Sequence, residues 1–357
     1  MEGDPKAVKI LKLFILGIFM IVNSYGQISL QEKDRIFLYS FSTDKNTQQA
    51  KADPSKRNKL DEIVYVLRMP KSWTRENETL SRKSKIPSVR GVICICTWMK
   101  TAADLKDKIA TYESSSFKHI IQFADENNLA LLTWSNFGGY EISSSVDEMN
   151  KTQVQRYNAI FENRLLEWER GYKRVLFKYN LPKDSALIYG FSGGGQIAHR
   201  IALRRPQYFS GIHIHVNSSY DVPTSNAKNM VWLVTTGELE YGYKAATRFY
   251  KNMIDMGYSV IFKAGENLGH ATNAQINALS LEFFKYMITF IPDPTNPNWK
   301  TPPVDKFYLM RHPIYVGDYL NNVAYPIENA VKHVSARKYM VALPTKSIAT
   351  AWGNIIE

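Results

Sequence analysis

The 357-residue chain is too long for a peptide, a disulfide mini-protein or a single small binding module, and it should hold one large domain or two of moderate size. Hydrophobic residues make up 45% and charged residues 22%, which excludes a wholly disordered chain and a polytopic membrane protein. Forty-five Lys and Arg against 33 Asp and Glu leave a net charge of +12, while two cysteines exclude a disulfide-stapled scaffold and a four-cysteine zinc site.

The chain opens on a targeting pattern. Lys6, Lys9 and Lys12 precede the apolar run Leu13–Val22, and Ser24 and Gly26 are small residues at the spacing of a signal peptidase site. The run falls short of the roughly 20 residues that span a bilayer, so residues 1–26 are expected to be a cleaved signal peptide rather than a permanent membrane span. The mature protein would begin at Gln27 and be secreted or periplasmic. This leader holds only three of the lysines and two acids, so the basic balance belongs to the rest of the chain. Its basic clusters, such as Lys56-Arg57 and Arg204-Arg205, are scattered and accompany no nucleic-acid module, so a solvated basic surface and no nucleic-acid partner are expected.

Arg35–Phe41 and Glu62–Met69 read as strands separated by the polar loop Thr43–Lys59. Val92–Thr97 is an apolar run carrying Cys94 and Cys96. On a strand buried on both faces the two cysteines share a side and serve as structural thiols. A helix is expected over Phe117–Glu126 and a strand over Leu129–Trp134. Val154–Tyr179 is a long helix, with Phe161, Leu165, Trp168, Tyr172 and Leu176 at three- and four-residue steps. Further strands fall at Ala186–Tyr189, Gly211–Val216, Met230–Thr235 and Tyr258–Lys263, and the helix Ala274–Ile291 closes the series. Strands alternating with helices predict a mainly parallel sheet covered on both faces. The Pro- and Asn-rich run Pro292–Pro303 marks a boundary, beyond which residues 304–357 read as extended hairpin segments.

The chemistry concentrates at Gly190-Phe191-Ser192-Gly193-Gly194-Gly195, between the strand Ala186–Tyr189 and a helix with the apolar face Ile197, Ala198, Ile201 and Ala202. A dinucleotide fingerprint fails because two residues separate Gly190 from the next glycine. A phosphate loop fails because Gln196-Ile197 stands where Lys and Ser or Thr are required. G-x-S-x-G fits: it puts Ser192 on a sharp strand-to-helix turn where flanking glycines avoid clashes, with the amide of Gly193 facing an attacked carbonyl oxygen. A serine hydroxyl needs a base and a group to orient that base. Two later strands run into loops that carry the required types in the required order, Glu238 and Glu240 after Met230–Thr235, and His270 after Tyr258–Lys263. His213 and His215 form a His-x-His pair on one strand face. They read as structural or pocket-lining residues rather than metal ligands, and His199 reads as a packing or surface residue.

These residues resemble the α/β-hydrolase superfamily over roughly Glu62 to Ile291. The resemblance implies an α/β fold with a mainly parallel eight-stranded sheet and helices on both faces. It divides the chain into N-terminal strands at 34–72, a core at 91–291 and a C-terminal extension at 292–357 packing on the hydrolase domain. It implies Ser192 as nucleophile, His270 as base and Glu240, favoured over Glu238, as the acid. The oxyanion donors would be Gly193 and a second amide near Trp98, with no metal and no cofactor. Only Asn217–Asn229 separates two strands where the superfamily often inserts a lid, so an open cleft with Asn217 to Tyr220 along one wall is expected. The expected activity is carboxylic ester hydrolysis on a small-molecule or polymer-linked substrate. A serine peptidase of the same fold, or a non-catalytic binding protein on the same scaffold, is the alternative.

Overall fold

The computed structural model describes residues 35–42, 62–84, 86–97, 117–135, 151–294, 296–334 and 339–357. The leader 1–26, the loop Thr43–Lys59 and Trp98 lie outside the described residues.

Among the described residues eight strands make the main sheet: β1 (Ile36–Ser42), β2 (Glu62–Arg68), β3 (Gly91–Cys96), β4 (Leu129–Trp134), β5 (Ala186–Phe191), β6 (Phe209–His215), β7 (Val231–Gly237) and β8 (Ser259–Gly265). Their order is β1-β2-β4-β3-β5-β6-β7-β8. β2 runs antiparallel to both β1 and β4, and every other neighbouring pair is parallel. The parallel interior explains the sequence of its strands. β3, β4, β6 and β7 are buried along their whole length, so they read as continuous apolar runs instead of alternating ones.

Three long helices cover one face: α3 (Lys151–Lys178), α4 (Gly193–Arg204) and α5 (Tyr243–Asp255). Trp168 of α3 stacks on Phe209, Gly195 of α4 lies against Ile214, and Phe249 of α5 meets Trp232 edge-on. On the opposite face lie α2 (Lys118–Glu126) and α6 (Ala274–Ile288), joined by the stacked pair Phe123 and Phe284. α6 starts on a capped turn, where the Asn273 side chain accepts from the amide of Ile276. A helix α1 (Arg75–Ser84), with acids in its first turn and bases in its last, lies between β2 and β3. Cys94 and Cys96 are buried and unbridged, and burial pushes both thiols up.

Residues 304–357 depart from the expectation of extended hairpins. β9 (Tyr315–Asp318) and β10 (Val323–Pro326) do form a hairpin, and β11 (Met340–Leu343) and β12 (Asn354–Ile355) complete a second sheet of order β11-β9-β10-β12. Three helices are interleaved with them, α7 (Lys306–Arg311), α8 (Ile327–His333) and α9 (Lys346–Trp352). They were hidden by their length of six or seven residues, too short for a helical period to register. Two carry side-chain caps that do show in the sequence: Asp305 accepts from the amide of Tyr308, and Thr345 from that of Ile348. This layer sits over β8. Trp352 Nε1 donates to the carbonyl of Phe262 at 2.7 Å, Tyr250 Oη donates to that of Met340, and Tyr319 meets Phe262 edge-on.

Candidate active site

The turn after β5 is tight because its glycines let backbone touch backbone. A Cβ on Gly190 would lie 2.5 Å from the carbonyl oxygen of Gly194, and one on Gly194 would lie 2.1 Å from that of Cys96. The latter contact brings the end of β3 against the start of α4. Between these glycines Ser192 is held at φ 55° and ψ −125°, a conformation that side-chain-bearing residues rarely adopt. Its amide donates to the carbonyl of His215, and its carbonyl accepts from Gln196. Gly193 is the first residue of α4, so its amide has no acceptor within the helix.

The loops after β7 and β8 are laced together by backbone. Glu238 and Leu239 donate their amides to the carbonyls of Gly265 and Leu268, and a Cβ on Gly237 would lie 2.0 Å from the Leu268 oxygen. This contact sets Glu240 opposite His270. His270 Nδ1 is 3.0 Å from Glu240 Oε2, and its Nε2 is 2.8 Å from Ser192 Oγ. The Glu240 side chain is 1% exposed and the His270 side chain 39%, so the acid lies at the inner end of the line and the imidazole at its mouth. Glu240 Oε1 has no hydrogen-bond partner among the described residues. Tyr241, itself 76% exposed, stacks on the His270 ring, and Phe191 meets that ring edge-on. A serine hydroxyl bonded to an imidazole whose far nitrogen meets a buried carboxylate can give up its proton as the oxygen forms a bond.

Strand order, with the serine turn after β5, the acid loop after β7 and the histidine loop after β8, decides the architecture. The chain has the α/β-hydrolase fold. No protein-family model matches the sequence, and no curated protein matches it. Solved structures similar to it include a thermostable esterase, 14% identical with a TM-score of 0.42 over 66% of this chain and 55% of that one. An S-formylglutathione hydrolase from Staphylococcus aureus is 13% identical with a TM-score of 0.44, covering 71% of this chain and 96% of the other. A putative dipeptidyl aminopeptidase IV from Bacteroides ovatus is 12% identical with a TM-score of 0.45, covering 72% of this chain and 36% of that one. The chain thus spans about half the length of the esterase and about a third of the peptidase. At these values the α/β-hydrolase fold rests on the chain's own strand order.

The resemblance favours Glu240 over Glu238 as the acid, and the fold separates the two. Glu238 turns away from His270 to accept from the side chain of Asn322 and the amide of Asn267. Asn322 also offers its Oδ1 to the buried Lys263 Nζ at 2.9 Å, while that ammonium lies 4.5 Å from the centre of the Trp352 ring. Burial pushes Lys263 down to about 8.

The expected cleft wall is corrected. Asn217 is fully buried, its Oδ1 accepting from the amide of Ser219, and the half-buried Tyr220 stacks on Phe249 of α5. The stretch folds inward because His199, also buried, accepts from the amide of Asp221, whose carboxylate takes Arg200 and Arg204. Missed by sequence were Phe191 and Tyr241 on either side of His270. Tyr241 could have been found from its place beside Glu240. The ring nitrogens of the His-x-His pair, His213 and His215, are taken up by Ser280, Thr235 and the carbonyl of Ala271. Among the described residues no three His, Cys, Asp or Glu side chains converge on a metal site.

Proposed function

We propose that the protein is an exported serine hydrolase that cleaves carboxylic esters through an acyl-enzyme. The hydrogen-bonded line Ser192–His270–Glu240 carries the reading. His270, oriented by Glu240, takes the hydroxyl proton as Ser192 Oγ attacks the ester carbonyl. The tetrahedral oxyanion is met by the amide of Gly193 and by a second donor near Trp98, in the segment that follows β3, the strand whose end at Cys96 lies against Gly194. One such donor is worth about 3 kcal/mol of transition-state stabilisation. Collapse expels the alcohol with the proton from His270. Water then attacks the acyl group by the same base, releasing the acid and restoring Ser192.

The aromatic residues against the histidine, Phe191 and Tyr241, favour an uncharged acyl or alcohol group over the free amino terminus that a dipeptidyl peptidase binds. The basic leader and the run Leu13–Val22 support export with cleavage after Gly26. The test is a fluorophosphonate probe on residues 27–357, read by intact mass beside Ser192→Ala. One adduct that vanishes in the variant is expected, together with a loss in kcat on the order of 10⁶ for Ser192→Ala or His270→Ala. Folded protein with no adduct, or near-wild-type esterase activity in Ser192→Ala, overturns the proposal. Faster turnover of amides than of matched esters would transfer it to the peptidase reading.

A further inference from the structure

Beneath the histidine loop, a file of buried polar side chains crosses from α6 to the backbone of Ala271. Ser280 Oγ is 2.9 Å from His213 Nδ1, and His213 Nε2 is 2.8 Å from Thr235 Oγ1. Thr235 Oγ1 is 2.8 Å from His215 Nδ1, and His215 Nε2 is 3.1 Å from the carbonyl oxygen of Ala271. All four side chains are buried, and Thr235 sits directly opposite His215 in the β6–β7 register.

The end of the file fixes the direction of every bond in it. A carbonyl only accepts, so His215 Nε2 carries a proton. Burial pushes His215 down to about 4 and His213 well below the ordinary histidine value, so each ring holds a single proton. Nδ1 of His215 is then an acceptor, filled by the hydroxyl of Thr235. Thr235 in turn accepts from His213 Nε2–H, and Ser280 donates to His213 Nδ1. Each ring nitrogen and each hydroxyl proton along the file has one partner.

Ala271 is the residue after His270, in a turn where its amide donates to the carbonyl of Gly269. The outer side of that turn is open, for a Cβ on Gly269 would meet nothing within 4 Å. Among the described residues His215 is the side chain that holds this turn from the inside. The same residue receives the amide of Ser192 on its carbonyl, and Phe191 meets both the His215 and His270 rings. One residue on β6 therefore braces the backbone of the nucleophile and the backbone of the base.

We infer that His215, its tautomer set by Thr235 and His213, is a positioning residue that holds His270 in line with Ser192. It touches no substrate. The inference rests on the serine-hydrolase reading above. A displacement of about 1 Å in a catalytic group can cost on the order of 100-fold in rate, so a loosened turn acts on turnover more than on binding.

The test compares His215→Phe, which keeps a ring of similar volume but neither nitrogen, with His215→Gln, whose amide can still donate to Ala271. His215→Phe should lower kcat and the fluorophosphonate labelling rate together by roughly 10- to 100-fold, with KM within about twofold. His215→Gln should recover most of that loss even if both variants melt at the same temperature. Thr235→Val, with Thr235→Ser as its conservative partner, repeats the comparison where His215→Phe does not fold. Wild-type kcat in His215→Phe or Thr235→Val overturns the inference. So does a loss that follows the melting temperature, with no recovery by Gln or Ser. Wild-type protein that neither labels nor hydrolyses esters would instead sink the hydrolase reading.

Discussion

The strain at Ser192 can be measured by removing its side chain in two ways. Ser192→Ala and Ser192→Gly both delete the bond to His270 Nε2, so that loss cancels between them. They differ in the Cβ, which Ala retains at φ 55° and ψ −125°. Holding a non-glycine residue in so sparsely populated a region costs about 1–3 kcal/mol. Glycine escapes that cost but loses more backbone freedom on folding, by about 0.5–1 kcal/mol relative to Ala. The glycine variant should therefore be more stable than the alanine variant by about 1 kcal/mol. For a chain of this size that is roughly 2 °C in Tm. Urea unfolding of the two variants at neutral pH, beside thermal melts, is sufficient, since neither retains a nucleophile. An alanine variant as stable as the glycine variant, or more so, would refute the idea that the elbow stores strain.

Three further outcomes follow from the geometry. Glu240→Gln should lower kcat on an aryl ester by on the order of 10³–10⁴, and Glu238→Gln by less than about tenfold; a larger effect at Glu238 would reassign the acid. Asn322→Ala leaves the buried Lys263 ammonium without its oxygen and should cost about 2–3 kcal/mol in urea unfolding, so a wild-type value would refute that contact's role. Acid should weaken the fold through His215: between the ordinary 6.5 and about 4 the unfolded chain binds a proton that the buried ring refuses, so stability present above 6.5 is lost as pH falls toward 4. The share is about 3 kcal/mol at 1.36 kcal/mol per pH unit. His215→Gln should show a correspondingly shallower fall in unfolding free energy from pH 7 to pH 4, and equal slopes would refute the buried neutral ring.

Much of this molecule was legible because its strands are buried on both faces. Runs such as Val92–Cys96 and Val231–Thr235 declare themselves by continuous hydrophobicity, and the order of the loops between them places Ser192, Glu240 and His270. What sequence could not resolve was direction. Glu238 and Glu240 lie two residues apart on one loop, and only the turn at Gly237, packed on Leu268, decides which carboxylate faces the histidine. The short connection Asn217–Asn229, with no room for a lid, predicts Asn217 on the wall of an open cleft. It is instead buried, because the chain turns back at once and Asn217 accepts from the amide of Ser219, two residues on. The short helices α7 to α9 had no period to read, although Asp305 and Thr345 marked where two of them begin.

Asn322 stands in the turn between β9 and β10, far along the chain from the loops that carry Glu240 and His270, yet one amide group answers both Glu238 at the end of β7 and Lys263 within β8. Residues 305–357 are therefore not an appendage that can be cut away or exchanged freely. A graft that replaced the acid or histidine loop to change substrate preference would have to bring a matching partner for Asn322 with it. A graft of the C-terminal layer alone would strand a buried ammonium beneath the site it was meant to leave untouched. In design terms the loops and the distal turn are a single exchangeable part, although nearly sixty residues of chain separate Lys263 from Asn322.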